Sequence, residues 1–144
     1  MNQPNLSPVP DKDKWILTDD YPNKKYGTLV PAFFLTDGAS IPKVARLFLY
    51  DPFHPKVIGP AVNHDWGYWN HQYDRAYTDQ IFYQGLIDNK VPVAKAKLMY
   101  HTVRRFGGAY WDNDADDFIA LTILHFFAKS SPRFEEYHFP IGVL

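Results

Sequence analysis

The apolar pattern of this chain changes period once, at Lys56, and that change constrains the fold more than any other feature. From there Ile58, Ala61, Val62, Asp65, Tyr68 and Trp69 recur at spacings of three and four, the repeat of one helix face. A second stripe over about 75–88 carries Ala76, Asp79, Phe82, Tyr83 and Leu86, and "DNKVP" breaks it. A third helix, about 93–106, turns Ala94, Leu98, Val103 and Phe106 inward and stops at Gly107–Gly108. Asp114 or Asp116 can cap a fourth, over 117–129, which "SSPR" closes.

Upstream of Lys56 the signals are those of short strands. "KWILT" (14–18) and "YGTLVPAFFLTD" (26–37) are β-like, with the turn cluster "DDYPNKK" between them. Pro31 inside the second run marks an edge strand or a break, because proline cannot donate to a sheet ladder. Residues 1–14, with three prolines, read as an extended N-terminal arm. "DGAS" (37–40) has turn chemistry, Pro42 can open a helix, and residues 43–50 form a short helix or turn. The tail "YHFPIGVL" reads as a strand or a docked extended segment. The expected fold class is α+β: a small N-terminal antiparallel β layer followed by a three- to four-helix core. All 144 residues are expected in a single domain.

Composition narrows the function classes. Apolar residues make up 46% and aromatics 17%, enough to drive a packed core and exclude a disordered chain. A formal charge of −1, with no basic run, argues against nucleic acid as a partner. There are no cysteines, which excludes disulfide scaffolds, thiol catalysis and thiolate zinc sites. The N-terminus lacks the basic and apolar regions of a signal peptide, and "FIALTILHFFA" (118–128) is too short to span a bilayer as a transmembrane segment. The chain is expected to start out soluble in a cytoplasm.

The chemistry concentrates in "NHDWGYWNHQ" (63–72). On a helix His64 and Tyr68 are i and i+4 and share a face roughly 6 Å apart. Asp65 points about 100° away. Asp79 sits in the apolar stripe of the next helix, where a carboxylate needs a partner. If the two helices are antiparallel neighbours, His64 and Tyr68 are that partner. One imidazole nitrogen is then held by Asp79 and the other is free to act as a general base, while Asp65 is left to bind a cation.

Other polar groups have ordinary readings. Asp37 fits an Asx-turn or an N-cap, and Arg75 an ion pair with Asp79 or Asp74. "DNDADD" (112–117) opens like a calcium-binding EF-hand loop but lacks its glycine and closing glutamate, and reads as helix capping. His71, His101 and His125 have no regular partner spacing, and Arg104–Arg105 reads as a solvated helix end.

"HDWGY" resembles the active-site helix signature of the phospholipase A2 superfamily, above all its bacterial branch, which has glycine at the position of Gly67. Asp79 in "RAYTDQIF" fits the same pattern. The resemblance implies that His64 activates a water for attack on a phospholipid or other ester, and that Asp65 binds calcium (Ca2+), which polarises the ester carbonyl. Asp79 and Tyr68 would orient the histidine. The chain departs from that pattern in lacking disulfides and an adjacent Gly-rich calcium loop. "TDGASIP" is the nearest candidate, with Asp37 as a second carboxylate ligand.

The chain also resembles the phage and prophage domain of unknown function 1353 family, through "VPAFFLTDGASIP" (30–42), "NHDWGY" (63–68), "RAYTDQIF" (75–82) and "MYHTVRRFGG" (99–108). That resemblance implies a phage or prophage origin without an established activity. Three functions therefore stay open. The first is a hydrolase with a phospholipase A2-like His–Asp centre. The second is a non-catalytic virion or tail-associated protein in contact with other phage virion proteins. The third is a metal-dependent cell-wall hydrolase using His64, Asp65, Asp37 and His101.

Overall fold

The computed structural model describes residues 3–10, 14–36, 51, 53–112 and 118–139. Asp37, Ser40, the expected turn and helix over 37–50, the caps Asp114 and Asp116, and the last five residues lie outside that set. The fold is α+β, as the change of period predicts: two small antiparallel sheets precede the helices.

Strands β1 (Leu6–Pro8), β2 (Trp15–Leu17) and β5 (Leu35–Thr36) form one sheet in the order β1-β2-β5. The N-terminal arm is thus extended, and three of its residues pair with β2, Leu6 opposite Leu17 and Pro8 opposite Trp15. Strands β3 (Tyr21–Asn23) and β4 (Thr28–Val30) form a separate hairpin. The supposed turn cluster "DDYPNKK" therefore contains a strand, and the chain reverses over residues 24–27, where Gly27 takes φ +66°. Pro31 does break the second β run: β4 stops at Val30, and pairing resumes only at Leu35. Between them Phe33 sits at φ 71°, a left-handed conformation that is costly for a bulky side chain.

The helices are α1 (Ile58–Asn70), α2 (Arg75–Asp88), α3 (Val93–Phe106), α4 (Gly108–Asp112) and α5 (Phe118–Ala128), followed by a 3₁₀ turn at Phe134–Tyr137. The short α4 lies where Gly107–Gly108 reads as a plain stop. Asp74 caps α2, its Oδ1 accepting from the Tyr77 N–H at 2.8 Å. Asp74, one of the two carboxylates offered as partners of Arg75, is thus engaged by the backbone.

Helix α1 is the wall shared by two cores. One face puts Ile58, Val62 and Trp66 against Leu17, Val30, Phe34 and Leu124 from the β layer and α5. Another puts Val57 and Ala61 against Phe82, Leu86, Ala96 and Met99 from α2 and α3. The α1–α2 and α2–α3 pairs are both antiparallel, since His64 meets Asp79 while Pro60 lies against Gly85, and Asp79 meets Arg104 across the next turn. The apolar face of α3 differs from its expected one. Ala96 and Met99 are buried, whereas Ala94, Leu98 and Phe106 are exposed. On α2, Ala76 is exposed, and Thr78, Ile81 and Gly85 join the buried stripe.

Candidate functional site

Asp79 is the centre. Its side chain is fully buried in the middle of α2, where a lone carboxylate would lose its hydration with nothing in exchange. Three donors from two neighbouring helices replace the water. His64 Nε2 lies 2.6 Å from Oδ1, the Tyr68 hydroxyl donates to the same oxygen at 2.7 Å, and Arg104 Nη1 donates to Oδ2 at 2.6 Å. The first two come from α1 at i and i+4, the third from the last turn of α3. Burial alone would push the Asp79 carboxyl up. The hydrogen bonds from His64, Tyr68 and Arg104 more than offset it and hold the group below the ordinary carboxylate range.

An ionised Asp79 can only accept, so the His64 Nε2 must carry the hydrogen, and in the neutral ring Nδ1 then holds the lone pair. Among the described residues no group hydrogen-bonds Nδ1, and the His64 side chain keeps 11% of its surface exposed. The ring is clamped between Tyr68, 4.3 Å away, and Phe82, 4.9 Å away. The arrangement provides an oriented imidazole with a second nitrogen that no described group holds, which is what general-base chemistry requires.

Around this centre lies a layer that the sequence motifs do not announce. Arg75 Nε donates to the Tyr68 hydroxyl at 3.2 Å, and its Nη2 donates to the carbonyls of Val103 and Arg104. Arg75 therefore satisfies the C-terminal carbonyls of α3, where a cation is favoured, and it pairs with neither Asp79 nor Asp74. Burial, together with the bond to Asp79, pushes the Tyr68 hydroxyl well above its usual range. Gly107 makes this packing feasible, because a Cβ there would come within 2.5 Å of the Tyr68 hydroxyl. Arg104 is not the solvated helix end that its position suggests, since its Nη1 reaches inward to Asp79. Its signal was topological: reflecting α2 onto α3 through the 89–92 turn brings Asp79 within a turn of Arg104.

Asp65 is displaced around α1, as its position predicts, and faces the β layer. Its Oδ2 accepts from the Thr36 hydroxyl at 2.8 Å, which brings the start of "TDGASIP" against α1. Asp37, the next residue after Thr36, lies outside the described residues. The oxygens of Asp65 and Thr36 suit calcium chemically, but that ion takes six to eight. Among the described residues, no group of three or more His, Asp or Glu side chains could hold a metal ion. Asp37, common to the calcium reading and to the His64, Asp65, Asp37 and His101 set, lies outside the described residues. His71 stacks flat on Trp111 at 3.8 Å, an ordinary packing role.

An apolar cavity of about 220 Å³ lies elsewhere, lined by Ile16, Phe33, Leu35, Trp69, Leu124 and Phe127 among others. Neither His64 nor Asp79 lines it. Among the described residues, no helix is long and apolar enough to cross a membrane.

Fold and site together define a class: a small α+β protein in which one buried carboxylate gathers a histidine, a tyrosine and an arginine from adjacent helices. The chain belongs to the family described as "Protein of unknown function (DUF1353)", whose model matches residues 15–103. It is similar to the uncharacterized protein y4iH of Sinorhizobium fredii (strain NBRC 101917 / NGR234), with 36% identity over 72 residues. That match covers 50% of this chain and 30% of the relative, so the chain spans less than a third of that protein's length. No solved structure matches.

Proposed function

We propose that this chain is a phage- or prophage-encoded hydrolase that cleaves an ester, phospholipid or other, with His64 as general base. The observation that carries the reading is the 2.6 Å contact between His64 Nε2 and the buried Asp79, which leaves Nδ1 as the ring nitrogen able to accept a proton. In the proposed step Nδ1 takes a proton from water, the oxygen attacks the ester carbonyl, and the leaving alkoxide recovers the proton from Nδ1. Asp79 and Tyr68 fix the ring and its tautomer throughout. Asp65 is the first candidate ligand for an assisting cation, and calcium is the cation that the helix signature implies.

The test is acid release from mixed phospholipid vesicles and from a soluble short-chain ester, with calcium or a chelator. His64→Gln keeps the approximate size and one hydrogen bond but cannot accept the proton. It should fold normally and lose about 10²–10⁴-fold of the rate. Asp79→Asn should lose less, through misorientation. Equal release from wild type and His64→Gln would end the catalytic reading.

One observation favours a second reading, a non-catalytic virion-associated protein. Three donors saturate Asp79, and such a network ties α1, α2 and α3 together whether or not any substrate binds. Under that reading no ester is hydrolysed, and His64→Gln acts on stability alone.

A further inference from the structure

We propose that the apolar cavity between the β layer and α5 is a binding site for one unbranched hydrocarbon chain, that of a soluble amphiphile such as a medium-chain alcohol or fatty acid. Neither His64 nor Asp79 lines it, so the site stands apart from the hydrolase reading. Ile16 from β2, Leu35 from β5, Trp69 from α1 and Ile123, Leu124 and Phe127 from α5 surround about 220 Å³. Among the described lining residues no side chain is charged, and the Trp69 indole nitrogen is the one polar side-chain atom. A polar head group inside would lose its hydration with no partner, so only the hydrocarbon end enters and the head stays in water. An apolar cavity of about 150 Å³ stays dry and takes benzene, which gives this larger one room for about eight carbon atoms.

The walls are set before any ligand arrives. The buried Phe34 ring meets Trp69 edge-on at 5.3 Å and holds the indole in place. The rings of Phe33 and Phe127 lie 6.1 Å apart, and both are more than half exposed. Phe33 is the telling residue, because it keeps a phenyl ring at φ 71°, where any Cβ is strained. The backbone imposes that conformation: the Phe33 N–H donates to the Leu17 carbonyl at 2.7 Å, and the Leu17 N–H donates to the Phe34 carbonyl at 3.0 Å. Glycine would take it without strain and give up only a ring that is already 55% exposed. Folding therefore gains little from phenylalanine here. A hydrocarbon chain in the cavity supplies the contact that the ring lacks in the free protein.

The experiment follows the Trp69 indole N–H resonance, identified by its loss in Trp69→Phe, as straight-chain alcohols from butanol to decanol and the matching carboxylates are titrated in. Affinity should tighten about fourfold with each added methylene and level off at about eight carbons, with little effect of the head group. Phe33→Gly should weaken binding about three- to tenfold while its Tm stays equal or rises. Leu35→Phe, which fills part of the space, should move the levelling-off to a shorter chain. Phe106→Ala, at an exposed phenylalanine on α3, should bind as wild type does. His64→Gln should also bind normally, so a failed ester assay leaves this site standing and a failed titration leaves the hydrolase reading standing. An affinity that ignores chain length, or that Phe106→Ala lowers as much as Phe33→Gly, overturns the proposal. Concentration-dependent self-association, or sedimentation with phosphatidylcholine vesicles, in place of alcohol binding would give the face to a second copy or to a membrane and overturn it as well.

Discussion

At the scale of single residues, Asp79 sets the terms for everything around it. Asp79→Ala would leave Arg104 and the His64 nitrogen facing an apolar void, and breaking a buried pair in this way costs about 3–5 kcal/mol. Denaturant titration should show that loss, with a smaller one for Asp79→Asn. Because the folded-state carboxyl titrates below its ordinary value, its contribution is complete above the unfolded value of about 4 and declines as pH falls below it. Tyr68 has the opposite sign. Its raised hydroxyl contributes fully below the unfolded value of about 10, and that contribution is lost as pH rises past it. Tyr68→Phe should therefore flatten the alkaline limb of a stability–pH curve and, by removing one of the bonds that depress Asp79, also shrink the acid limb; an unchanged alkaline limb would contradict this. The pairing of His64, Tyr68 and Asp79 was legible because a carboxylate in an apolar stripe has few ways to be satisfied. Arg104 was not, because an arginine pair in a helix's last turn looks the same whether it meets solvent or reaches inward. The approach of "TDGASIP" to Asp65 was expected through Asp37, and the described contact comes from Thr36, one residue earlier, joining a strand to a helix across 29 residues.

Between elements, the α1–α2 crossing depends on Gly67, the glycine of "HDWGY". A Cβ at that position would lie 2.7 Å from Thr78 Cγ2, closer than packed atoms come. The glycine thus permits close approach of the two helices, and that approach brings His64 to Asp79. Gly67→Ala should destabilise by about 1–3 kcal/mol through overpacking, despite alanine's better helix propensity. Gly67→Ala combined with Thr78→Ser, which removes the clashing methyl, should recover part of the loss. No recovery in urea unfolding would mean that some other contact limits the crossing. Helix positions were legible here and helix faces were less so. The bounds of α2 match the expected 75–88, and those of α3 match 93–106. On α3, spacings of three and four can be drawn through Ala94 and Leu98 or through Ala96, Met99 and Val103. Only contact with α2 selects the second set. The three-residue strand β3 escaped notice because Pro22 and Asn23 are turn formers. Pairing with β4 overrides that preference.

At the scale of the molecule, α1 is, among the described residues, the one helix that contributes side chains to both buried clusters, and this predicts how the protein comes apart. Leu17 in β2 and Leu86 in α2 are each 0% exposed, one in either cluster. Truncating either to alanine should cost about 2–5 kcal/mol by lost burial and an unfilled cavity. If the clusters were independent, each substitution would weaken only its own half, and unfolding would split into two transitions. They are not independent on this geometry, because melting the β-side cluster releases Val62 and Trp66, and with them the helix that carries Ala61, His64 and Tyr68. The expected outcome is one transition in both variants, coincident by far-UV and near-UV circular dichroism. The double variant should lose close to the sum of the single losses, since the two leucines share no cluster. A biphasic curve for Leu17→Ala, with helical signal surviving after the aromatic signal is gone, would show that the helices stand without the sheet layer. It would also mean that the His64–Asp79 centre does not need the β layer, whereas a single transition ties the centre's integrity to both cores.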